Sequence, residues 1–81
     1  MIVLRDGLRD ELAKVLGCPA AEVDDTATFE DLGIDSVFGV MFIQSVNRRY
    51  GLKEPLDLTE RCRDLDELDR YLATRIPEAS R

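Results

Sequence analysis

Asp35 and Ser36 stand side by side where a loop containing Gly33 meets the apolar run that begins at Val37. A hydroxyl in that setting has three roles open to it: it can attack a substrate, cap a helix, or accept a group delivered by another enzyme. Attack requires a base to take the hydroxyl proton. The chain has no histidine, so a serine–histidine arrangement is excluded. Gly33 precedes Ser36 by three residues, which is not the glycine spacing of a nucleophile elbow. Lys14 and Lys53, the only lysines, read as solvent-facing. Capping is an ordinary role for serine at a helix start. The third role fits the long loop before it, because a helix N-terminus offers free backbone N–H groups and a positive dipole end to a phosphate. Ser36 is therefore read as a substrate rather than a catalyst. Asp35 adds an acid near the helix start, worth about 0.3–1 kcal/mol of dipole complementarity. Gly33 has two readings: it supplies a backbone conformation that other residues tolerate poorly, or it is simply a turn glycine.

Four helical segments must position this pair. The first is expected from about Leu4 to Leu16. There Leu4, Leu8, Leu12, Val15 and Leu16 recur at helical spacing, and Arg5, Arg9, Asp10, Glu11 and Lys14 fill the other face. Gly17 and Pro19 end it. A loop from about Cys18 to Asp35 follows, with one helical turn over Pro19 to Glu22 and apolar anchors at Val23, Phe29, Leu32 and Ile34. Loops of this length usually carry function. Thr28 or Thr26 caps a short turn through Phe29, Glu30 and Asp31. The second helix runs from Ser36 to about Tyr50, with Phe42, Ile43, Val46 and Tyr50 as its core stripe and Gly51 as its stop. A short third helix covers about Leu58 to Cys62 with Asp57 as cap. The fourth runs from about Leu65 to Arg75. Asp64 and Glu67 make a capping-box-like pair, and Leu65, Leu68, Leu72 and Ile76 face inward. The fold class is all-α: a small antiparallel bundle of three main helices plus one short helix.

Eighty-one residues make one small domain, with a core over about residues 3–76 and a flexible tail over 77–81. Seventeen acidic against eleven basic residues give a net charge of −6. That excludes a nucleic-acid surface and permits basic protein partners. No apolar run reaches the length of a membrane span or forms a signal-peptide core, so no membrane association and a cytoplasmic location are expected. Cys18 and Cys62 are too few for a zinc site; no metal is expected, and both read as free thiols packed as small hydrophobes.

The run Phe29-Glu30-Asp31-Leu32-Gly33-Ile34-Asp35-Ser36-Val37 resembles the prosthetic-group site of acyl carrier proteins, and the resemblance extends from Leu12 to about Leu72. It implies that Ser36 carries 4′-phosphopantetheine, attached covalently, whose thiol bears an acyl or aminoacyl chain as a thioester. It also implies that Asp35 helps present the serine to a phosphopantetheinyl transferase and its metal ion. The protein itself would perform no chemistry. Peptidyl carriers usually show Gly-Gly-His/Asp-Ser-Leu here, so Gly33-Ile34-Asp35-Ser36-Val37 is more similar to carriers of fatty-acid and polyketide pathways. Ser36 to Phe42, with Asn47 and Tyr50-Gly51, resembles polyketide carriers of secondary metabolism. Phe42 stands where carriers serving β-branching have Trp, which counts against that specialised role. The further partners implied are an acyltransferase or acyl/aminoacyl ligase and a ketosynthase or other polyketide synthase component. The expected state is a monomer, and Met1 with the tail after Pro77 favours a discrete protein, although an excised domain of a larger synthase would look similar.

One departure stands out. Fatty-acid carriers have a glutamate-rich second helix as their docking face, whereas this chain has no acid between Ser36 and Tyr50. Val37, Val40 and Met41 form a second apolar stripe instead, read as a partner-docking surface together with the loop acids Glu30 and Asp31. The competing reading puts Val40 and Met41 in the core. Phe42, Val46, Tyr50 and Leu68 are candidate walls for cargo, but their bulk favours a solvent-exposed arm. A second function class is a helical docking or adaptor domain with this fold and no prosthetic group.

Overall fold

The computed structural model describes residues 4–76. The expected tail over residues 77–81 lies outside the described residues. Four α-helices appear in chain order: α1 (Leu4–Leu16), α2 (Ser36–Tyr50), α3 (Leu58–Arg61) and α4 (Leu65–Ala73), with a 3-10 turn at Ala20–Glu22 before the central loop. No strand occurs among the described residues; Thr28 and Asp64 form a single isolated antiparallel bridge. The start of α1 meets the end of α2 at Gly7 and Tyr50, while Val15 near the end of α1 and Met41 of α2 line the same depression. These two helices therefore run antiparallel.

Periodicity decides what each helix buries. Leu4, Leu8 and Leu12 of α1, Phe42, Ile43 and Val46 of α2, and Leu65, Leu68 and Leu72 of α4 lie at helical spacing and are essentially inaccessible. Val23, Phe29, Ile34, Leu58, Cys62 and Ile76 close this core from the loops and from α3. The rings of Phe29 and Phe42 meet at 5.8 Å between centroids, tilted by 56°, so the central loop is anchored directly to the inner face of α2.

The helix ends differ in detail from the sequence reading. Helix α3 stops at Arg61, with Cys62 as its C-cap, and the Asp57 side chain does not cap it. Asp57 accepts instead from Arg61 Nε at 3.2 Å, one turn on. Helix α4 stops at Ala73 rather than at Arg75. Its Asp64 carboxylate accepts from the Glu67 N–H at 2.9 Å as expected, but Glu67 reaches back past Asp64 to the Arg63 N–H at 3.1 Å. The box is displaced by one residue, and beside it the Phe29 N–H donates to the Arg63 carbonyl at 2.9 Å in the bridge between Thr28 and Asp64.

On α1, Val15 and Leu16 are half-buried rather than core, and Glu11 is not on the outer face. Glu11 is 5 % exposed and accepts from Arg49 at 2.9 Å and from Lys14 at 3.1 Å. Burial alone would push its carboxyl up; the hydrogen bonds from Arg49 and Lys14 outweigh this and hold it below the ordinary value. The far end of α2 is closed by a second polar device. Asn47 donates to the Glu54 carbonyl and accepts from the Glu54 N–H, both at 3.1 Å, which pins the chain that leaves Gly51. Glu54 then accepts from the Tyr71 hydroxyl of α4 at 2.6 Å.

Candidate functional site

Residues 28–34 are a hydrogen-bonded turn rather than a slack connection. Leu32 N–H donates to the Thr28 carbonyl at 3.1 Å, Gly33 N–H to that of Glu30 at 3.0 Å, and Ile34 N–H to that of Phe29 at 2.9 Å. Of the two threonines considered as caps, Thr28 takes the role, its hydroxyl accepting from the Asp31 N–H at 3.0 Å. Thr26 is occupied with Asp24, whose carboxyl is held below its ordinary range chiefly by the Thr26 hydroxyl. Gly33 adopts φ +82°, a left-handed conformation that side chains with a Cβ rarely enter, so the glycine is what lets the chain turn out of this loop. Phe29 and Ile34 are buried on either side of it, which fixes the loop to the bundle and leaves Glu30, Asp31 and Gly33 at the surface.

The turn delivers Asp35 in extended conformation as the N-cap of α2, its Oδ1 accepting from the Phe38 N–H at 2.9 Å. The capping role weighed for Ser36 is thus performed by Asp35. Ser36 is the first helical residue, exposed, with its hydroxyl bonded to no group among the described residues. The Gly39 N–H donates to the Asp35 carbonyl at 2.8 Å. Of the first four N–H groups of α2, those of Phe38 and Gly39 are therefore satisfied by Asp35, and those of Ser36 and Val37 are not engaged by the loop. A phosphodiester on Ser36 fits this arrangement: the same helix end carries two backbone donors with no partner in the loop, and the positive end of the helix dipole. The surrounding acids Glu30, Asp31 and Asp35 make the approach favourable for a cation. No group of three or more potential metal ligands gathers among the described residues.

Directly after the serine, α2 shows two apolar faces. Val37 is 65 % exposed and Met41 45 % exposed, with Val40 half-buried between them. The reading that placed Met41 in the core is overturned, because Phe42, Ile43 and Val46 already fill it. Ser36, Val37, Val40 and Met41 line one shallow depression. The structure thus brings Ser36, Asp35 and the apolar stripe together at one end of α2, with Gly33, Asp31 and Glu30 on the adjoining turn. Among the candidate cargo walls, Phe42, Val46 and Leu68 are completely buried and Tyr50 is half-buried.

Sequence reasoning missed one positioning contact. Gly39 lies against α3, where a Cβ would fall 2.2 Å from Thr59 Oγ1. A glycine inside a helix, which costs about 1 kcal/mol relative to alanine, is the signal that could have disclosed this close approach. Thr59 also helps line a depression with Thr28, Phe29 and Ile34, so α3 braces the turn that presents the serine. Cys62 sits buried behind this region as a free thiol, its acidity weakened first by burial and then by Glu67 and Asp64.

Comparison with known proteins agrees with this geometry. The sequence profile for the phosphopantetheine attachment site matches residues 6–72. The chain is 36 % identical over 74 residues, 91 % of its length, to the polyketide synthase ThaG of Burkholderia thailandensis, and 42 % identical over 48 residues, 59 % of its length, to the polyketide synthase PksL of Bacillus subtilis. It is 27 % identical over 66 residues, 82 % of its length, to the orsellinic acid synthase armB of Armillaria mellea. It spans only 1 % of the length of each of the first two and 3 % of the third. Four α-helices among the described residues, an exposed serine at the first position of α2 and a profile match over most of the chain converge: this protein belongs to the phosphopantetheine-attachment family, the acyl carriers, whose non-catalytic members hold that group covalently on a serine.

Proposed function

We propose that Ser36 is the attachment serine and that the protein tethers acyl or aminoacyl thioesters during polyketide-type secondary metabolism. The observation that carries this reading is the division of labour at the start of α2: Asp35 caps the helix, and the Ser36 hydroxyl is left exposed and unengaged. When bound, the prosthetic group supplies a flexible arm ending in a thiol that carries the acyl chain. The chain's own residues hold and present it. The Ser36 and Val37 N–H groups, free of the loop, would be available to the phosphate, Asp35 caps the helix start, and Gly33 sets the angle at which the turn meets the helix. Tethering raises the local concentration of the thioester at each enzyme it meets. The fully buried Phe42, Val46 and Leu68 favour an arm that lies mainly in solvent.

The partners that follow are a phosphopantetheinyl transferase, for which this protein is the substrate, an acyltransferase or acyl/aminoacyl ligase, and a ketosynthase or other synthase component. Val37, Val40 and Met41 form the apolar part of the docking surface, with Glu30 and Asp31 orienting the serine. In this reading the protein works as a monomer among cytoplasmic synthase components. Among the described residues no helix is long and apolar enough to cross a membrane. The adaptor reading, without a prosthetic group, accounts for Asp35 as a cap but leaves the exposed, unengaged Ser36 hydroxyl without a purpose and is not favoured. Peptide mapping after incubation with a transferase and coenzyme A tests the assignment. The label is expected on Ser36; a label on Ser45, or none, would reject it.

A further inference from the structure

Met41 joins two adjoining depressions on the outer face of α2. One is lined by Ser36, Val37, Val40 and Met41, and the other by Met41, Gln44, Ser45 and Arg48 with Lys14 and Val15 of α1. Together they make a groove from the serine to the last turn of the helix, about 18 Å long at ~1.5 Å per residue. Its chemistry changes along that length. The serine end is aliphatic, and the far end is cationic at Lys14 and Arg48. No acid of α2 neutralises this end. The nearest acid from α1, Glu11, is buried and already bonded to Lys14 and Arg49, and Asp10 is paired with Arg49. Arg48 is exposed and forms no ion pair among the described residues. A chain of net charge −6 thus displays, among the described residues, a cation with no ion-pair partner at the end of its apolar stripe.

We propose that this groove receives an acidic–apolar helix or ridge of a synthase protein, which sets aliphatic side chains against Val37, Val40 and Met41 and a carboxylate against Arg48. The proposal rests on the carrier reading and deepens it by giving the partner both a chemistry and a direction. The partner's apolar end lies beside Ser36 and its acidic end points away, and a partner with a basic residue at that position meets Arg48 as a like charge. Burial of the aliphatic contacts supplies affinity, while the single ion pair at the edge selects register and partner.

The probe is a pair of synthetic helical peptides, each with two leucines one turn apart and, two turns further on, glutamate in one and lysine in the other. They are titrated into isotope-labelled protein, phosphopantetheine-loaded and Ser36→Ala alike, and followed by NMR. The glutamate peptide is expected to shift the amides of Val37, Val40, Met41, Gln44 and Arg48 and to bind about fivefold more tightly than the lysine peptide, a preference that shrinks as salt rises. Arg48→Glu is expected to reverse the order. Equal binding of the two peptides, shifts outside the groove, or no binding would overturn the groove while loading at Ser36 remains intact. Loading is measured on the same samples by mass, and failure to load would instead overturn the carrier reading beneath it.

Discussion

The two faces of α2 are both apolar, yet they belong to different parts of the protein's work. Phe42, Ile43 and Val46 have no accessible surface, whereas Val37 and Met41, on the same helix, are about half exposed or more. The inner face is covered by α1, α3 and the Phe29 ring; the outer face is left open beside the serine. The same side-chain chemistry thus stabilises the fold on one side and remains available to a partner on the other. A helix that only had to be stable would carry polar residues where Val37, Val40 and Met41 stand.

The largest effect separating the faces should come from Phe42→Ala, which empties a completely buried site and is expected to cost about 3–5 kcal/mol of stability. Chemical denaturation measures it; a loss below ~1 kcal/mol would mean that the inner stripe is not the core. The matching outer-face variant, Met41→Glu, should leave the denaturation midpoint within the range of ordinary surface changes, about 0.5 kcal/mol. Loading or acyl-transfer kinetics should nevertheless weaken, because burying Met41 at a contact contributes roughly 1.5–3 kcal/mol. Asp31→Asn should weaken turnover less, since an exposed ion pair is worth ~0–1 kcal/mol. If Asp31→Asn proves the more damaging, the apolar stripe is not the main grip.

How far these roles could be read in advance differs along the chain. The start and end of α2, the cap at Asp64 and the burial of Leu4, Leu8, Leu12, Leu68 and Leu72 follow from local signals, namely helical spacing, a glycine stop and a capping carboxylate. Local spacing did not resolve whether Met41 faced the core, because two apolar stripes on one helix satisfy the same period. Only the neighbours supplied by α1, α3 and Phe29 decide between them. Glu11 was misplaced for a related reason: its partner Arg49 is distant in sequence, and no window on α1 contains it. The family was legible through the run from Phe29 to Val37, which also singles out Ser36 for the proposal, but Asp35's role as the cap shows only when both are placed on the helix.

A smaller effect tests that role. Asp35→Ala should cost about 0.5–2 kcal/mol, the usual value of an N-cap, and fray the start of α2, while Ser36→Ala should leave stability nearly unchanged. Equal losses would return the cap to Ser36. The least expected change is in acid. Because Glu11 titrates below its ordinary 4.5 when folded, the unfolded chain takes up its proton first as pH falls. Its contribution is fully present above that value and is lost as pH drops through the lower folded one. Glu11→Gln should therefore flatten the acid limb of a stability–pH curve by about 1 kcal/mol, less than a fully buried pair would give because Arg49 and Lys14 reach solvent. An unchanged limb would remove Glu11 from the acid response.

The account turns on Ser36 being a substrate, and intact-mass spectrometry reads this most directly. After incubation with a phosphopantetheinyl transferase, magnesium and coenzyme A, the protein is expected to gain the mass of one phosphopantetheine group, and Ser36→Ala to gain none while keeping its helical circular-dichroism spectrum. No gain by the unmodified sequence, or an equal gain by Ser36→Ala, would contradict it.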